Sequence, residues 1–461
     1  MLFSSITFIY FFLPFMAIYY LLPKKWKNAF LLLTSLFFYF FGEPVYVTLL
    51  LLSSVSDWVH GLYIEAHRGK KSAKVALVSS IVINLLMLGF FKYTDFFIGT
   101  INSIFGTEIP LLGIALPIGI SFFTFQTMSY TIDVYWGRAK VQRNFATFAT
   151  YVSLFPQLIA GPIVRYTDVE EELEERKITL SHISDGIIRF CVGLGKKVMI
   201  ANLLGEFCAN FAASDGKSVI FYWLYTLAFA MQVYFDFSGY SDMAIGLGKM
   251  LGFNFPENFN YPFISKSGTE FWRRWHMTLG SWFRDYVYIP MGGNRVSVVK
   301  WIRNIAVVWL LTGIWHGAEW NFVLWGALFG VILVIEKFWI KKLLAKLPTF
   351  VSYIYTAFII LVSFSVFNAD GLSGVVIDLS GMFGLSHLPA VTGDMIYNLR
   401  SYLGVFAIAI IGSTPFPKSL WYKLPEGVRA VAEPVCAILV LLVSTAFLIN
   451  GSFNPFLYFR F

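Results

Sequence analysis

Long apolar runs alternate with short polar ones along the whole chain. Apolar stretches lie near 3–22, 28–42, 45–64, 75–91, 114–135, 145–163, 186–210, 218–235, 301–315, 319–336, 350–367, 400–412 and 432–450. A helix needs ~20 apolar residues to cross ~30 Å of hydrocarbon, so the spacing predicts an all-α polytopic membrane protein with a ceiling near a dozen spans. Three regions depart from the pattern. Asp168 to Lys177 holds five glutamates, Glu170, Glu171, Glu172, Glu174 and Glu175, and reads as a solvated loop or surface helix. Phe155 to Ile163 carries Pro156, Gly161 and Pro162, which predict a broken helix. Gly239 to Asn304 is too polar for a simple span yet dense in aromatics. Irregular backbone at membrane depth survives only inside protein or against a water-filled cavity, so this region is expected to line an internal cavity or its cytoplasmic mouth.

Composition agrees with that reading and narrows it. Of 461 residues, 57% are hydrophobic and 13% charged, about half the charge of an average soluble domain. The mean hydropathy is +0.67. A disordered chain, a coiled coil and an ordinary cytosolic enzyme are excluded. The 19% aromatic share suits long interfacial belts and a wide interior. The three cysteines, Cys191, Cys208 and Cys436, form no CxxC pair and lie in or beside apolar runs. They read as buried thiols, with neither a disulfide framework nor a zinc site, and no metal site is expected.

The net charge of +8 is carried in short loops, which makes it a topology signal. No basic stripe stands apart from a membrane edge, so nucleic acid is not an expected partner. Met1 to Leu22 has no basic residue, and Lys24, Lys25 and Lys27 follow it. It lacks the marks of a cleaved signal peptide and reads as a retained span with its N-terminus outside. The clusters around His67 to Lys74, Arg138 to Arg143, Lys337 to Lys346 and Lys418 to Lys423 alternate as cytoplasmic loops and place the C-terminus outside.

Candidate chemistry is sparse because charge is sparse. His67, His182 and His387 fall in polar loops, and His60 ends an apolar segment. His316 lies between two apolar runs, thirteen residues after Arg303. At 1.5 Å per residue it is roughly 20 Å from that charge and so within the hydrocarbon layer. An intramembrane ionisable group is either hydrogen-bonded inside a bundle or functional, and the functional reading is preferred. A near-neutral imidazole can take a proton from a hydroxyl. Gly313 and Gly317 are expected to leave room for a substrate, and Glu319 and Asn321 either to orient the ring or to close the cavity mouth, with Glu319 equally readable as an interfacial carboxylate. In Phe271 to Leu279, Trp272, Arg273, Arg274, Trp275 and His276 interleave aromatics with cations. Arginine pairs with phosphate and tryptophan stacks on planar groups, so this cluster either holds a nucleotide-bearing donor or forms an interface belt. Met291 to Arg295 is a turn and not a phosphate loop. Asp236 and Asp242 read as helix caps in preference to a cavity wall.

The chain resembles the membrane-bound O-acyltransferases, in the branch of alginate O-acetylation proteins and bacterial cell-wall and exopolysaccharide acetyltransferases. The residues that carry the resemblance are Leu116 to Gln126, Phe155 to Tyr166, Tyr234 to Asp242, Asn258 to Pro262, Phe271 to His276, Tyr286 to Pro290 with Gly292 to Arg295, Trp315 to Gly317, and Asn454 to Phe461. Trp136 departs from the pattern, standing where a basic residue is expected. The resemblance implies one integral membrane domain over 1–461, with N-terminal spans in 1–143, a catalytic core in 144–340 and C-terminal spans in 341–461. It implies a helix bundle with re-entrant and interfacial helices around a funnel and tunnel, and acyl transfer to a hydroxyl. His316 and His276 correspond to the family's two motif histidines. Trp272, Arg273, Arg274, Trp275, Trp315, Asn321, Asp236 and Gln126 are the candidate residues for substrate or donor.

The expected enzyme is an O-acetyltransferase of the bacterial cytoplasmic membrane with no permanently bound cofactor. It would carry acetyl from cytoplasmic acetyl-CoA to an extracytoplasmic polysaccharide, directly or through an esterase-like relay partner. The alternatives are D-alanyl transfer to teichoic acid from a carrier protein, and a polysaccharide or ion transporter. Phe123 to Gln126 and the C-terminal motif favour the acetyl branch, and no repeat typical of a transporter is visible.

Overall fold

The computed structural model describes residues 3–451 and Leu457. The Asn454 to Phe461 motif therefore lies outside the described residues, apart from Leu457. Every regular element among those residues is helical. In chain order these are α1 (Ile6–Leu21), α2 (Lys24–Gly42), α3 (Val47–Ala66), α4 (Lys71–Phe105), α5 (Ile120–Trp136), α6 (Phe145–Ser153), α7 (Phe155–Leu158), α8 (Tyr166–Glu174), α9 (Leu180–Gly195), α10 (Asn202–Ala213) and α11 (Val219–Leu251). They continue as α12 (Gly268–Arg274), α13 (Met277–Phe283), α14 (Val298–His316), α15 (Trp320–Ile335), α16 (Lys341–Leu344), α17 (Thr349–Asn368), α18 (Gly371–Met382), α19 (Gly393–Gly412), α20 (Phe416–Trp421) and α21 (Glu426–Asn450). Single π-helical turns, Lys196–Ala201, Arg284–Tyr288 and Glu336–Ile340, follow α9, α13 and α15.

Eight helical segments among the described residues are long and apolar enough to cross a membrane: α3, α4, α11, α14, Trp320–Leu344, α17, α19 and α21. Helices α1 and α18 are apolar but shorter. Fewer segments qualify than the apolar stretches suggested, and for three of the stretches the physical reason is plain. Helix α5 is rich in Ser and Thr and is buried from Ile120 to Val134, so it faces protein rather than lipid. The 145–163 stretch breaks at Leu154, and Pro156 takes a first-turn position in α7, where its missing N–H costs nothing. The 186–210 stretch divides into α9, a π turn and α10. Cys436 also departs from expectation. It is exposed on α21, whose only buried described residue is Ser444.

The chain forms two compact units. The first comprises Met1–Phe190 and Ser241–Pro256. Within it α3, α4 and α5 pack together, and a buried polar network pins them. Asp57 on α3 accepts from Ser80 Oγ at 2.6 Å and from Asn84 Nδ2 at 2.7 Å on α4. Thr131 Oγ1 of α5 lies 3.1 Å from Ser80 Oγ. A carboxylate at this depth is tolerable because donors surround it. Helix α8 buries Tyr166, Val169 and Leu173 and turns its glutamates outward, as a surface helix should.

The second unit comprises Cys191–Tyr240 and Glu257–Phe461. Its densest pairing is α14 against α15. A methyl group at Gly313 would sit 2.4 Å from the Phe322 carbonyl oxygen, and one at Gly326 would sit 2.4 Å from that of Trp309. A methyl at Gly317 would lie 2.1 Å from the Phe322 ring. These glycines permit close helix approach, not substrate access as the sequence suggested. Asp236 and Asp242 are likewise not caps. Both lie inside α11: in this unit Asp236 meets Lys197 at 2.6 Å, and in the first unit Asp242 meets Arg189 at 2.6 Å. A cation for each carboxylate lets the helix run through the polar cluster. Leu457 N also donates to Asp236 at 2.9 Å.

Gly326→Ala should push α14 from α15 and lower stability by about 1–3 kcal/mol. Gly404→Ala on α19, where a methyl meets nothing within 4 Å, should leave stability unchanged or slightly raised. Thermal unfolding of both variants in detergent checks the contrast.

Candidate active site

The second unit contains a small aromatic cavity of about 40 Å³. Val233, Phe237, Trp272, Trp275, His316, Trp325, Phe364 and Phe367 line it. Its wall comes from α11, α12, α14, α15 and α17, so residues far apart in sequence converge there. His316 is the last residue of α14 and is 8% exposed. Its ring packs near edge-on against Trp325 at 5.2 Å, Phe367 at 5.4 Å and Trp315 at 5.0 Å. Such contacts fix the orientation of the imidazole.

His276 stands behind the cavity wall. Its ring meets Phe237 edge-on at 4.7 Å and lies 5.9 Å from Trp315. It occupies the break between α12 and α13 with φ 43°, a left-handed conformation uncommon outside glycine. Strain of this kind persists where surrounding structure over-determines it, and here the restraint is explicit. The extended segment before α12 pairs with the break: Asn260 N donates to Arg274 O at 2.8 Å, and Met277 N donates to Asn258 O at 2.9 Å. Asn258 Oδ1 lies 3.0 Å from His276 Nδ1 and also accepts from Thr278 Oγ1 at 2.9 Å and Thr278 N at 3.4 Å. The backbone N–H can only donate, which fixes the amide oxygen on this side and requires a proton on His276 Nδ1. In the neutral ring Nε2 then carries a lone pair, and among the described residues it is buried with no hydrogen-bond partner.

A buried glutamate starts the same break. Glu336, 0% exposed at the end of α15, accepts from Gly268 N at 2.6 Å, Thr269 N at 2.9 Å, Thr269 Oγ1 at 2.6 Å and Tyr355 OH at 3.2 Å. Two of these are first-turn N–H groups of α12 that its own helix cannot satisfy. Glu336 therefore fixes where α12 begins, and so where Trp272, Trp275 and His276 fall.

The sequence-selected residues separate into groups. Trp272, Trp275 and His316 share the cavity, and Trp315 joins His316 to His276. Arg273 is exposed, whereas Arg274 is held by Glu270 at 3.0 Å and by the Asn260 carbonyl at 3.1 Å. The two arginines thus leave the cavity wall to the tryptophans. Asn321 Nδ2 donates to Phe367 O at 3.1 Å and Ala369 O at 2.9 Å, which anchors the end of α17. Asp236 is engaged by Lys197, and Glu319 is exposed ahead of α15. Gln126 lies in the first unit on α5, fully buried, with both side-chain amide atoms unpartnered among the described residues.

The sequence did not single out Phe237, Trp325, Phe364, Phe367, Asn258 or Glu336 as site residues. Phe237 and Asn258 lie in motif segments, and Glu336 carried a local signal as a carboxylate closing a sixteen-residue apolar helix. Asn258→Ala should strand the buried His276 Nδ1–H and Thr278 hydroxyl and cost about 1–3 kcal/mol. Thermal melting against wild type measures it.

The membrane-bound O-acyltransferase family model matches residues 138–372, half of the chain. The chain is 38% identical to the probable alginate O-acetylase AlgI of Azotobacter vinelandii, with 100% of both chains covered. It is 35% identical to the peptidoglycan O-acetyltransferase of Helicobacter pylori over 84% of this chain and 80% of that one. It is 32% identical to the teichoic acid D-alanyltransferase of Bacillus subtilis, over 49% of this chain and 60% of the relative. These matches set the transport reading aside, and the chain belongs to the membrane-bound O-acyltransferase family, a multi-pass membrane enzyme of its alginate O-acetylation branch.

Proposed function

We propose that this protein transfers an acetyl group from a cytoplasmic thioester, acetyl-CoA, to a hydroxyl of an extracytoplasmic polysaccharide, directly or through an esterase-like relay protein. The observation that carries the reading is His316, a buried imidazole at the edge of a small aromatic cavity in a membrane O-acyltransferase. The cavity is far too small for a nucleotide, so only the acyl group reaches it, and the bulk of the donor stays outside. Relatives matched over four fifths or more of both chains are named as an alginate O-acetylase and a peptidoglycan O-acetyltransferase. The D-alanyl relative covers only about half of the chain, which favours acetyl over D-alanyl. The bacterial cytoplasmic membrane, with both termini outside, follows from the same reading and from the alternation of basic loops.

The chemistry is direct transfer. A His316 ring nitrogen takes the proton of the acceptor hydroxyl as its oxygen attacks the thioester carbonyl. The tetrahedral oxyanion then collapses, the C–S bond breaks, and the thiolate leaves with the proton from the imidazolium. Trp272 supplies a donor for the oxyanion: its indole lines the cavity, and Nε1 is buried with no acceptor among the described residues. His276 positions the ring system through Trp315 and holds a second lone pair close by.

His316→Ala should reduce acetyl transfer from labelled acetyl-CoA by about 10²–10⁴-fold at unchanged protein level. Undiminished transfer would remove His316 as the base. Trp272→Phe keeps the ring and removes the donor. It should lower kcat by about 10²-fold or more with little change in KM, and equal losses in binding would instead assign Trp272 to packing.

A further inference from the structure

The first unit holds a second cavity, of about 420 Å³ and open to the surface, that the acyltransfer chemistry does not use. Lys24, Lys27, Asn28, Glu174, Glu175 and Arg176 line it. The cations come from two places: the first turn of α2 and the segment after α8. From this geometry we infer that the cavity binds the phosphodiester headgroup of a membrane phospholipid, with preference for one that carries a primary amine, the phosphoethanolamine class.

Arg176 is the centre of the site. Its guanidinium stacks over Phe253 at 4.7 Å, and Nη2 donates to Asn28 Oδ1. Asn28 is itself held, since its Nδ2 donates to Leu173 O at 2.8 Å and Thr150 Oγ1 donates to its carbonyl at 3.2 Å. The arginine is therefore pre-positioned, and its Nη1 is buried with no acceptor among the described residues. A rigid guanidinium on the cavity wall is suited to a phosphate oxygen. Lys27 is held 4.5 Å from the Tyr19 ring centroid. Burial first, and then the Arg176 and Lys24 charges, pulls its ammonium below its usual range. The positive end of the α2 dipole adds to the field.

The acidic residues decide the ligand class. Three cations face two carboxylates, and the Lys24–Glu175 pair, 3.9 Å apart and exposed, is too weak to cancel either charge. Lys27 and Arg176 can take one phosphodiester while Glu174 and Glu175 remain for a headgroup cation, and the two carboxylates at the same mouth disfavour a multiply charged polyphosphate. Glu174 and Glu175 can in turn accept from a headgroup ammonium. The location favours a lipid over a free solute. Leu21, 85% exposed, and Trp26, 56% exposed, sit at the α1–α2 turn beside the cavity, an exposed apolar and indole pair of the kind found at a membrane interface.

The test uses the full chain in nanodiscs and native mass spectrometry of retained lipid. Wild type should retain phosphatidylethanolamine about tenfold over phosphatidylcholine. Lys27→Gln should lose most of that retention, and Glu174→Gln with Glu175→Gln should move the preference toward phosphatidylglycerol. These three positions are on or near the surface, so folding is not at risk, and Arg176→Gln is judged only where its thermal melt matches wild type. Equal retention of all three lipids, or wild-type retention by Lys27→Gln, overturns the proposal. So does displacement of the lipid by millimolar inorganic phosphate, which would mark a site for free anions.

Discussion

Hydrocarbon offers no water to an unsatisfied peptide or carboxylate, so a break in a helix at membrane depth must be satisfied by protein. In the stretch from Asn258 to Phe283 protein groups satisfy the breaks in the backbone bond by bond. Glu336 takes the first N–H groups of α12, the Asn258–Asn260 segment pairs with the backbone at Arg274 and Met277, and Asn258 Oδ1 serves His276 and Thr278. A continuous helix would need none of these partners. It would also carry Trp272, Trp275 and His276 past one another at 100° intervals, and could not hold His276 in a left-handed backbone beside Phe237 and Trp315.

The same constraint separates catalysis from support among the ionisable groups. Asp57, Asp236 and Glu336 are each met by several donors or by a cation at bonding distance. A carboxylate satisfied so fully has little left to give a substrate, and its work is to hold helices. His316 is packed by aromatic rings on the wall of a cavity. That combination of burial, ring-fixed orientation and open space is what sets it apart from the other buried polar groups of the second unit.

Helical class and membrane residence were legible in the chain because each depends on local quantities: run length and composition. The break at Pro156 and the surface helix at Tyr166–Glu174 were legible for the same reason. What pattern alone misread were groups whose meaning depends on a distant partner. Asp236 and Asp242 look like caps until Lys197 and Arg189 are placed beside them. Gly313 and Gly317 look like room for a substrate until Phe322 is seen to fill it.

The sequence by itself determined that this protein is a bundle of membrane helices, and the order of its motifs determined its family. Tertiary structure decided which motif residues share a cavity. It put Trp272, Trp275 and His316 on one wall, left Arg273 exposed and gave Arg274 to Glu270. The reason is that neighbours along a broken helix point in different directions, and only packing from α11, α14, α15 and α17 selects the direction that faces the cavity.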